Sequence, residues 1–365
     1  MNWYFAVEKI TGEMSMTNAG GKARADMNRI LAEWGASPLV VEAIPDRDNL
    51  GSTKKAMVHA ETYRSWRKAL ATVPDGSVLI VQVPSTAHTV FFSRVVRLCK
   101  KRGIRLVVIV HDLDTFRMAL TPGASRKNRI RTGLEEKALV QGADVLVLHN
   151  ESMRDVAESA FEIDPDGLVT LGIFDYLVED GHTSGKDRDA DGPVVVAGNL
   201  SEEKAGYLYH LPADVPFALY GVGYGWSEPQ ENMEYRGVFP AGDLPHVLSG
   251  SFGLVWDGPR ADTCAGEYGE YLKINNPHKA SLYLASGMPI VTWSQAALAS
   301  FVCEHACGIL VDSLDDLHDV IADVTPEDYG RMVRNADAVG NQLRAGYYTQ
   351  RALDVVRTIL DARNA

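Results

Sequence analysis

Short apolar runs alternate with helically spaced apolar positions along most of the chain. Residues 4–10 predict a first strand, followed by a polar loop. Met27, Ile30, Leu31 and Trp34 then recur at helical spacing, which predicts a helix over 22–34 with Gly35 placed to stop it. Apolar runs at 39–43, 78–83, 106–110 and 145–148 predict further strands, the last two each led in by a helix. Strands alternating with helices mean a parallel α/β sheet.

The pattern changes over 178–193, which is polar, glycine-bearing and without apolar periodicity, and so marks a linker. A second α/β series begins at 194–197 and continues at 217–220, 252–256, 290–293 and 308–311. The fold class is therefore α/β, with two Rossmann-like doubly wound domains facing a cleft. The first spans 1–177 and the second begins at 194. Ligands are expected at the carboxyl ends of the strands that face the cleft.

Composition narrows the class. The 365 residues suit two domains of ordinary size. No apolar run approaches the roughly 20 residues of a membrane span, and the first residues lack the pattern of a signal peptide. Four cysteines without a CxxC pair support neither a disulfide framework nor a four-ligand zinc site, so the expected compartment is the cytoplasm. A net charge of −12 argues against a dedicated nucleic-acid binder.

That charge is unevenly spread. The stretch 94–131 holds eleven Lys and Arg against Asp112 and Asp114, a local +9 that leaves the remainder at −21. Val90, Phe91, Phe92, Val95, Val96 and Leu98 lie among the first of these bases, Arg94, Arg97 and Lys101 included. Two readings stand: a solvated helix whose apolar side packs on a sheet, or a basic helix that meets an anionic membrane or lipid phosphate.

The segment Asn275-Asn276-Pro277-His278-Lys279 is the most informative. Asn276 is expected as N-cap, Pro277 in the first helical position and Gly287 as the stop. Backbone N–H groups, the helix dipole and the Lys279 ammonium would together suit a diphosphate, although an ordinary helix with a solvated lysine has the same cap signals. Gly20 and Gly21 sit in a second anion-friendly turn, between the first strand and first helix, that fits neither GxGxxG nor a Walker loop. His111 and Asp112 end a buried strand, where either would serve as general base toward an acceptor hydroxyl; alternatively Asp112 caps the next helix. Arg117, one turn on, would pair with Asp112 or Asp114 or bind an acceptor phosphate. Gly198 and Asn199, Tyr224, and Asp257 follow strands of the second domain; Asp257 would bond sugar or ribose hydroxyls or merely cap its loop. Cys303 and Cys307 read as small buried hydrophobes.

Taken together, Gly253-Leu254-Val255-Trp256-Asp257-Gly258, Asp262-Thr263-Cys264, Tyr271-Leu272-Lys273 and the Pro277-His278-Lys279 block into Ser281 and Gly287 resemble bacterial β-1,6-galactofuranosyltransferases. These are GT-B sugar transferases in a set that includes the glucosyltransferases of serine-rich adhesins. Ala19-Gly20-Gly21-Lys22-Ala23, His111-Asp112, Gly172-Ile173-Phe174-Asp175-Tyr176 and Gly198-Asn199-Leu200 extend the resemblance over nearly the whole chain. It implies a UDP-sugar held mainly by a C-terminal domain over 194–345, with Asn275, Asn276, Lys279 and Ser281 near the nucleotide. It also implies a saccharide or lipid-linked acceptor on the N-terminal domain, and a helix in 346–365 that crosses back to that domain.

One departure bears on mechanism. Many retaining GT-B enzymes carry two glutamates eight positions apart, and those places are Ile274 and Leu282 here. The expectation is an inverting displacement with no metal and no other cofactor, since Asp112-Leu113-Asp114 has the letters of a metal motif but lies in the acceptor domain. The expected partners are the UDP-sugar and its acceptor, with an anionic membrane on the inner face and a second copy of the chain as further candidates. The competing readings are an adhesin-type glucosyltransferase, a UDP-sugar 2-epimerase and a non-catalytic sugar-binding subunit.

Overall fold

The computed structural model describes residues 1–10, 19–43, 51–86, 89–120, 126–161, 163–179, 188–225 and 230–363. The chain forms two compact units. The first comprises Met1–Met16, Arg24–Leu171 and Thr349–Ala365, and the second Thr17–Ala23 and Gly172–Tyr348. Much of the linker stretch 178–193 lies outside the described residues.

The first unit is built on six parallel strands: β1 (Trp3–Ile10), β2 (Ser37–Ala43), β3 (Val78–Val83), β4 (Arg105–Val110), β5 (Val145–Leu148) and β6 (Leu168–Thr170). Their order is β2-β1-β3-β4-β5-β6. Its helices are α1 (Ala19–Glu33), α2 (Ser52–Leu70), α3 (Phe92–Lys101), α4 (Asp114–Leu120), α5 (Arg126–Val140) and α6 (Glu151–Phe161). Strands β3 and β5 are buried along their whole length. That is why their sequences read as continuous apolar runs: helices cover a parallel sheet on both faces.

The second unit repeats the plan with β7 (Val194–Asn199), β8 (Phe217–Val222), β9 (Met233–Gly237), β10 (Gly253–Val255), β11 (Ile290–Trp293) and β12 (Gly308–Val311). Their order is β12-β11-β10-β7-β8-β9, again parallel. The helices are α7 (Glu202–Ala205), α8 (Leu244–Val247), α9 (Gly266–Tyr271), α10 (His278–Ala285), α11 (Leu298–His305), α12 (Leu317–Ala322) and α13 (Pro326–Arg344). The last helix, α14 (Tyr347–Ala362), belongs to the first unit from Thr349 onward. There Trp34 donates to Asp354 at 3.2 Å, and the Arg357 guanidinium lies 4.1 Å from the Trp34 ring.

In each sheet the strand order reverses beside the first strand of the unit, between β1 and β3 and between β7 and β10. Loops leave in opposite directions at such a point, and a crevice opens at the carboxyl ends of the strands. Among the described residues no helix is long and apolar enough to cross a membrane.

Several local expectations change. Gly20 and Gly21 lie inside the first turn of α1, not in the loop before it; Thr17 and Asn18 are outside the described residues. Pro277 occupies the N-cap position of α10, and Asn276 provides no cap. Strands β6 and β9 were not expected, and Cys303 is exposed while Cys307 is buried.

Candidate active site

In the second unit the candidate site gathers at the reversal between β7 and β10. Helix α10 is fixed to the sheet by Tyr283, whose hydroxyl accepts from the Ala197 N–H at 2.7 Å. Gly253 makes room for that ring: a Cβ there would sit 2.1 Å from Tyr283. At the other end of α10, Arg188 and Arg344 donate to the carbonyls of residues 285–287, where cations complement the helix dipole.

The first turn of α10 places Lys279 beside the end of β10. Its ammonium donates to Asp257 Oδ1 at 2.7 Å and to the Trp256 carbonyl at 3.0 Å. A second cation, Lys204, stands 3.9 Å from Asp257 Oδ2. The pair is well covered, with 14% of the Lys279 side chain and 6% of that of Asp257 exposed. Burial pushes the Lys279 ammonium below its ordinary value, Asp257 opposes that shift and Lys204 adds to it. Two ammonium groups therefore share one carboxylate, an excess of positive charge at a helix N-terminus.

Around this cluster the other candidates divide. Gly198 and Asn199 end β7, and Gly223 packs so closely on them that a Cβ would lie 2.9 Å from Ser201 N and 3.1 Å from Asn199 Oδ1. Tyr224 stacks on Tyr235 with ring centroids 4.9 Å apart. Asn276 and Ser281 are engaged with backbone instead: Asn276 Nδ2 donates to Gly172 O at 2.5 Å and Ser281 Oγ to Phe174 O at 2.7 Å. They hold the segment after Leu171 against α10. Among the described residues Asn275 Oδ1 is buried without a hydrogen-bond partner, as is Nε2 of His278, whose ring stacks on Tyr176 at 5.0 Å. Burial and the nearby Lys22 lower the His278 pKa to about 4, so the ring is neutral.

A second polar cluster occupies the corresponding place in the first unit, at the ends of β1, β3 and β4. Glu8 accepts from Ser85 Oγ at 2.5 Å, Thr86 N at 2.6 Å and Thr86 Oγ1 at 2.7 Å, so it organises the loop after β3. Arg24 donates to the Pro84 carbonyl; burial lowers its pKa, and Glu8, Asp112 and Asp114 oppose that. His111 Nε2 lies 2.7 Å from Gln82 Oε1. Arg117 pairs with Asp114 at 2.7 Å and stands 3.9 Å from Asp112, whose side chain is 36% exposed. Behind them Glu136 accepts from Thr115 N at 3.2 Å, and burial holds its carboxyl up at about 7.

On α3 the apolar residues Phe92, Val95, Val96 and Cys99 are buried, so aromatic insertion into lipid is not what this helix offers. What it presents is cationic: Arg94, Arg97 and Lys101, with Leu98, line a shallow groove of about 480 Å³. The side chains of Arg126, Lys127, Arg129 and Arg131 lie outside those described.

Lys204, Gln82, Arg24 and Glu136 were not among the residues expected from sequence. Gln82 left a signal, as the polar residue of an otherwise apolar strand; Lys204, in a polar Ser-Glu-Glu-Lys stretch, left none.

Two parallel sheets of this kind, each with its polar cluster at a strand reversal, make up the GT-B architecture. Solved structures share the fold. Sucrose-phosphate synthase from Thermosynechococcus elongatus aligns with TM-score 0.62 at 11% identity, covering 99% of this chain and 100% of its own. WaaG, a glycosyltransferase involved in lipopolysaccharide biosynthesis, aligns with TM-score 0.56 at 11% identity, covering 97% and 99%. The chain belongs to the glucosyltransferase 3-like family, whose N-terminal domain model matches residues 5–159 and whose C-terminal domain model matches 194–356. Among its relatives, the β-1,6-galactofuranosyltransferase WbbI of Escherichia coli K12 is 31% identical, over 95% of this chain and 96% of that protein. Glucosyltransferase 3 of Streptococcus gordonii is 25% identical, over 80% and 82%.

Proposed function

We propose that this glycosyltransferase transfers a hexose, galactofuranose first among the candidates, from a UDP-sugar to a saccharide or lipid-linked saccharide in cell-surface polysaccharide synthesis. The observation that carries the reading is the Lys204–Asp257–Lys279 cluster at the N-terminus of α10. A departing UDP needs its new negative charge met where it develops, and two ammonium groups with helix N–H donors supply that without a metal. Asp257 holds Lys279 in place until the diphosphate competes for it. The relationship to WbbI supports galactofuranose as the sugar.

On the acceptor side, Asp112 or His111 takes the hydroxyl proton. The acceptor oxygen attacks the anomeric carbon, and the bond to the phosphate oxygen breaks with its electron pair leaving on UDP. One such displacement inverts the anomeric configuration. The cationic groove of α3 gives the enzyme a surface for the anionic inner face of a membrane. A UDP-glucose-dependent glucosyltransferase acting on a glycoprotein adhesin is the second reading; the family description supports its glucosyl half.

A panel of UDP-sugars that includes UDP-galactofuranose tests the donor by thermal shift, followed by UDP release with saccharide and lipid-linked acceptors and NMR of the product anomer. UDP should stabilise the protein and one sugar should be turned over with inversion. Stabilisation by NADH and none by UDP overturns the assignment. If Asp112 is the base, Asp112→Asn cuts turnover with little change in UDP affinity; normal turnover rules Asp112 out and leaves His111.

A further inference from the structure

A polar relay runs through the first sheet to His111. Gln82 sits inside β3, where Val81 and Val83 are 2% and 1% exposed and Gln82 itself 6%. Its Nε2 donates to Asn28 Oδ1 on α1 at 2.8 Å, and its Oε1 lies 2.7 Å from His111 Nε2. The strand registers Gln82 against Ile109 of β4, and the His111 N–H donates to the Val83 carbonyl at 2.8 Å. Backbone and side chain of His111 are thus both tied to β3.

A buried amide is expensive unless both its ends are satisfied, and this one is satisfied at both, by the Asn28 amide at one end and the His111 ring at the other. With the Gln82 amino group given to Asn28, its carbonyl oxygen is what faces the imidazole. A carbonyl oxygen only accepts, so in this orientation it selects the neutral ring that carries its proton on Nε2 and its lone pair on Nδ1.

We infer that Gln82 is a positioning residue for the transfer reaction: held by Asn28, it fixes His111 in the Nε2–H tautomer and makes Nδ1 the atom that receives the acceptor's proton. The step balances simply. The acceptor O–H bond breaks, its proton moves to Nδ1, Nε2–H keeps its bond to Gln82, the oxygen carries its electron pair to the anomeric carbon, and that carbon's bond to the phosphate oxygen breaks with its pair leaving on UDP. The resulting imidazolium donates from both nitrogens, so Gln82 Oε1 stays a partner before and after transfer. The catalytic half rests on the acceptor-side reading above; the tautomer half stands without it.

The test begins with the full-length, ¹⁵N-labelled protein and two-bond ¹H–¹⁵N correlation of the histidine rings, with the His111 signals assigned by their loss in His111→Gln. The expected pattern is a protonated Nε2 and an unprotonated Nδ1, with the two tautomers averaging in Gln82→Leu. The relay has an alternative in which both amides are turned over, so that Gln82 Nε2 donates to the ring and the proton stands on Nδ1. Finding that tautomer in the wild type overturns the inference whatever the enzyme's activity. In steady-state kinetics Gln82→Leu should lower kcat about tenfold or more, part of the roughly 100- to 10,000-fold that general-base catalysis contributes, with KM for the UDP-sugar within about twofold. Gln82→Glu retains the acceptor and adds a negative charge, so it should recover kcat and move the acid limb of the kcat profile upward by about a unit. If Gln82→Leu and Gln82→Glu lose activity alike with unmoved pH profiles, Gln82 is only a packing residue. If the tautomer is as expected but no UDP-sugar is turned over, the reading of the reaction fails and the relay remains.

Discussion

Lys279→Met is the sharpest test of the donor site, because it keeps the aliphatic stem and removes the ammonium. In the wild type that ammonium bonds Asp257 at 2.7 Å and the Trp256 carbonyl at 3.0 Å, within a pair of which 14% and 6% of the side chains are exposed. Stripping one partner from a buried ion pair costs about 3–5 kcal/mol when the other charge is stranded. Lys204 at 3.9 Å partly compensates Asp257. We therefore expect a loss of about 2 kcal/mol, a fall in Tm of about 4–8 °C for a unit of this size. UDP binding falls for a separate reason. A hydrogen bond to a charged group contributes about 1.5–3 kcal/mol, which weakens Kd by about 10- to 150-fold.

The two effects separate in a double-mutant cycle with Asp257→Asn. Lys279→Met/Asp257→Asn leaves no stranded carboxylate, so it should regain most of the lost Tm and none of the UDP affinity. Differential scanning fluorimetry reads the first quantity and isothermal titration calorimetry with UDP the second. The reasoning is refuted if UDP affinity returns together with Tm, for then Lys279 acts through folding alone. It fails equally if Lys279→Met binds UDP within about twofold of the wild type.

Two further outcomes concern the first unit. Burial raises the Glu136 carboxyl from 4.5 to about 7, so the folded first unit holds this proton more tightly than the unfolded chain does. Its contribution is present in full below pH 4.5 and is lost as pH rises through about 7. Glu136→Gln, which cannot ionise, should flatten the decline in denaturant midpoint over that window and be more stable than wild type above it; an unchanged slope refutes the assignment. On the α3 face, Arg94→Gln/Arg97→Gln/Lys101→Gln should weaken sedimentation with phosphatidylglycerol vesicles by about 100-fold or more, at about 1 kcal/mol per charge. Binding to neutral phosphatidylcholine vesicles that equals binding to the anionic ones would rule out electrostatic docking.

The strands legible in sequence are the buried ones. Residues 78–83 are Val-Leu-Ile-Val-Gln-Val and pack helices on both faces, so burial and composition coincide. β9 escaped because it is the edge strand of its sheet: Met233 is buried, but Glu234 and Tyr235 are exposed, and no apolar run forms. β6 escaped because it is a three-residue edge strand with only Leu168 and Val169 buried, whereas the equally short β10 sits inside the apolar run 252–256. The start of α10 moved by one residue for a tertiary reason. Asn276, a good cap by type, spends its side chain on the Gly172 carbonyl.

The candidate site was legible in its frame and hidden in its pairings. Asp257 and Lys279 stand out separately, one at a strand end and one at a helix start, yet only the fold shows that each is the other's partner. Lys204 carries no sign of its role in sequence, because a lysine after two glutamates is what a solvated helix also contains. Gln82 differs in kind. A glutamine inside a strand otherwise made of valine, leucine and isoleucine has to find two partners or destabilise the sheet. That cost makes a lone polar residue in a buried strand a signal of something held at the strand's end, and here what it holds is His111. In parallel α/β folds, where the strand ends face the crevice, a polar exception inside an apolar run thus marks a strand end to test by mutation, beside the charged residues that mark the donor cluster.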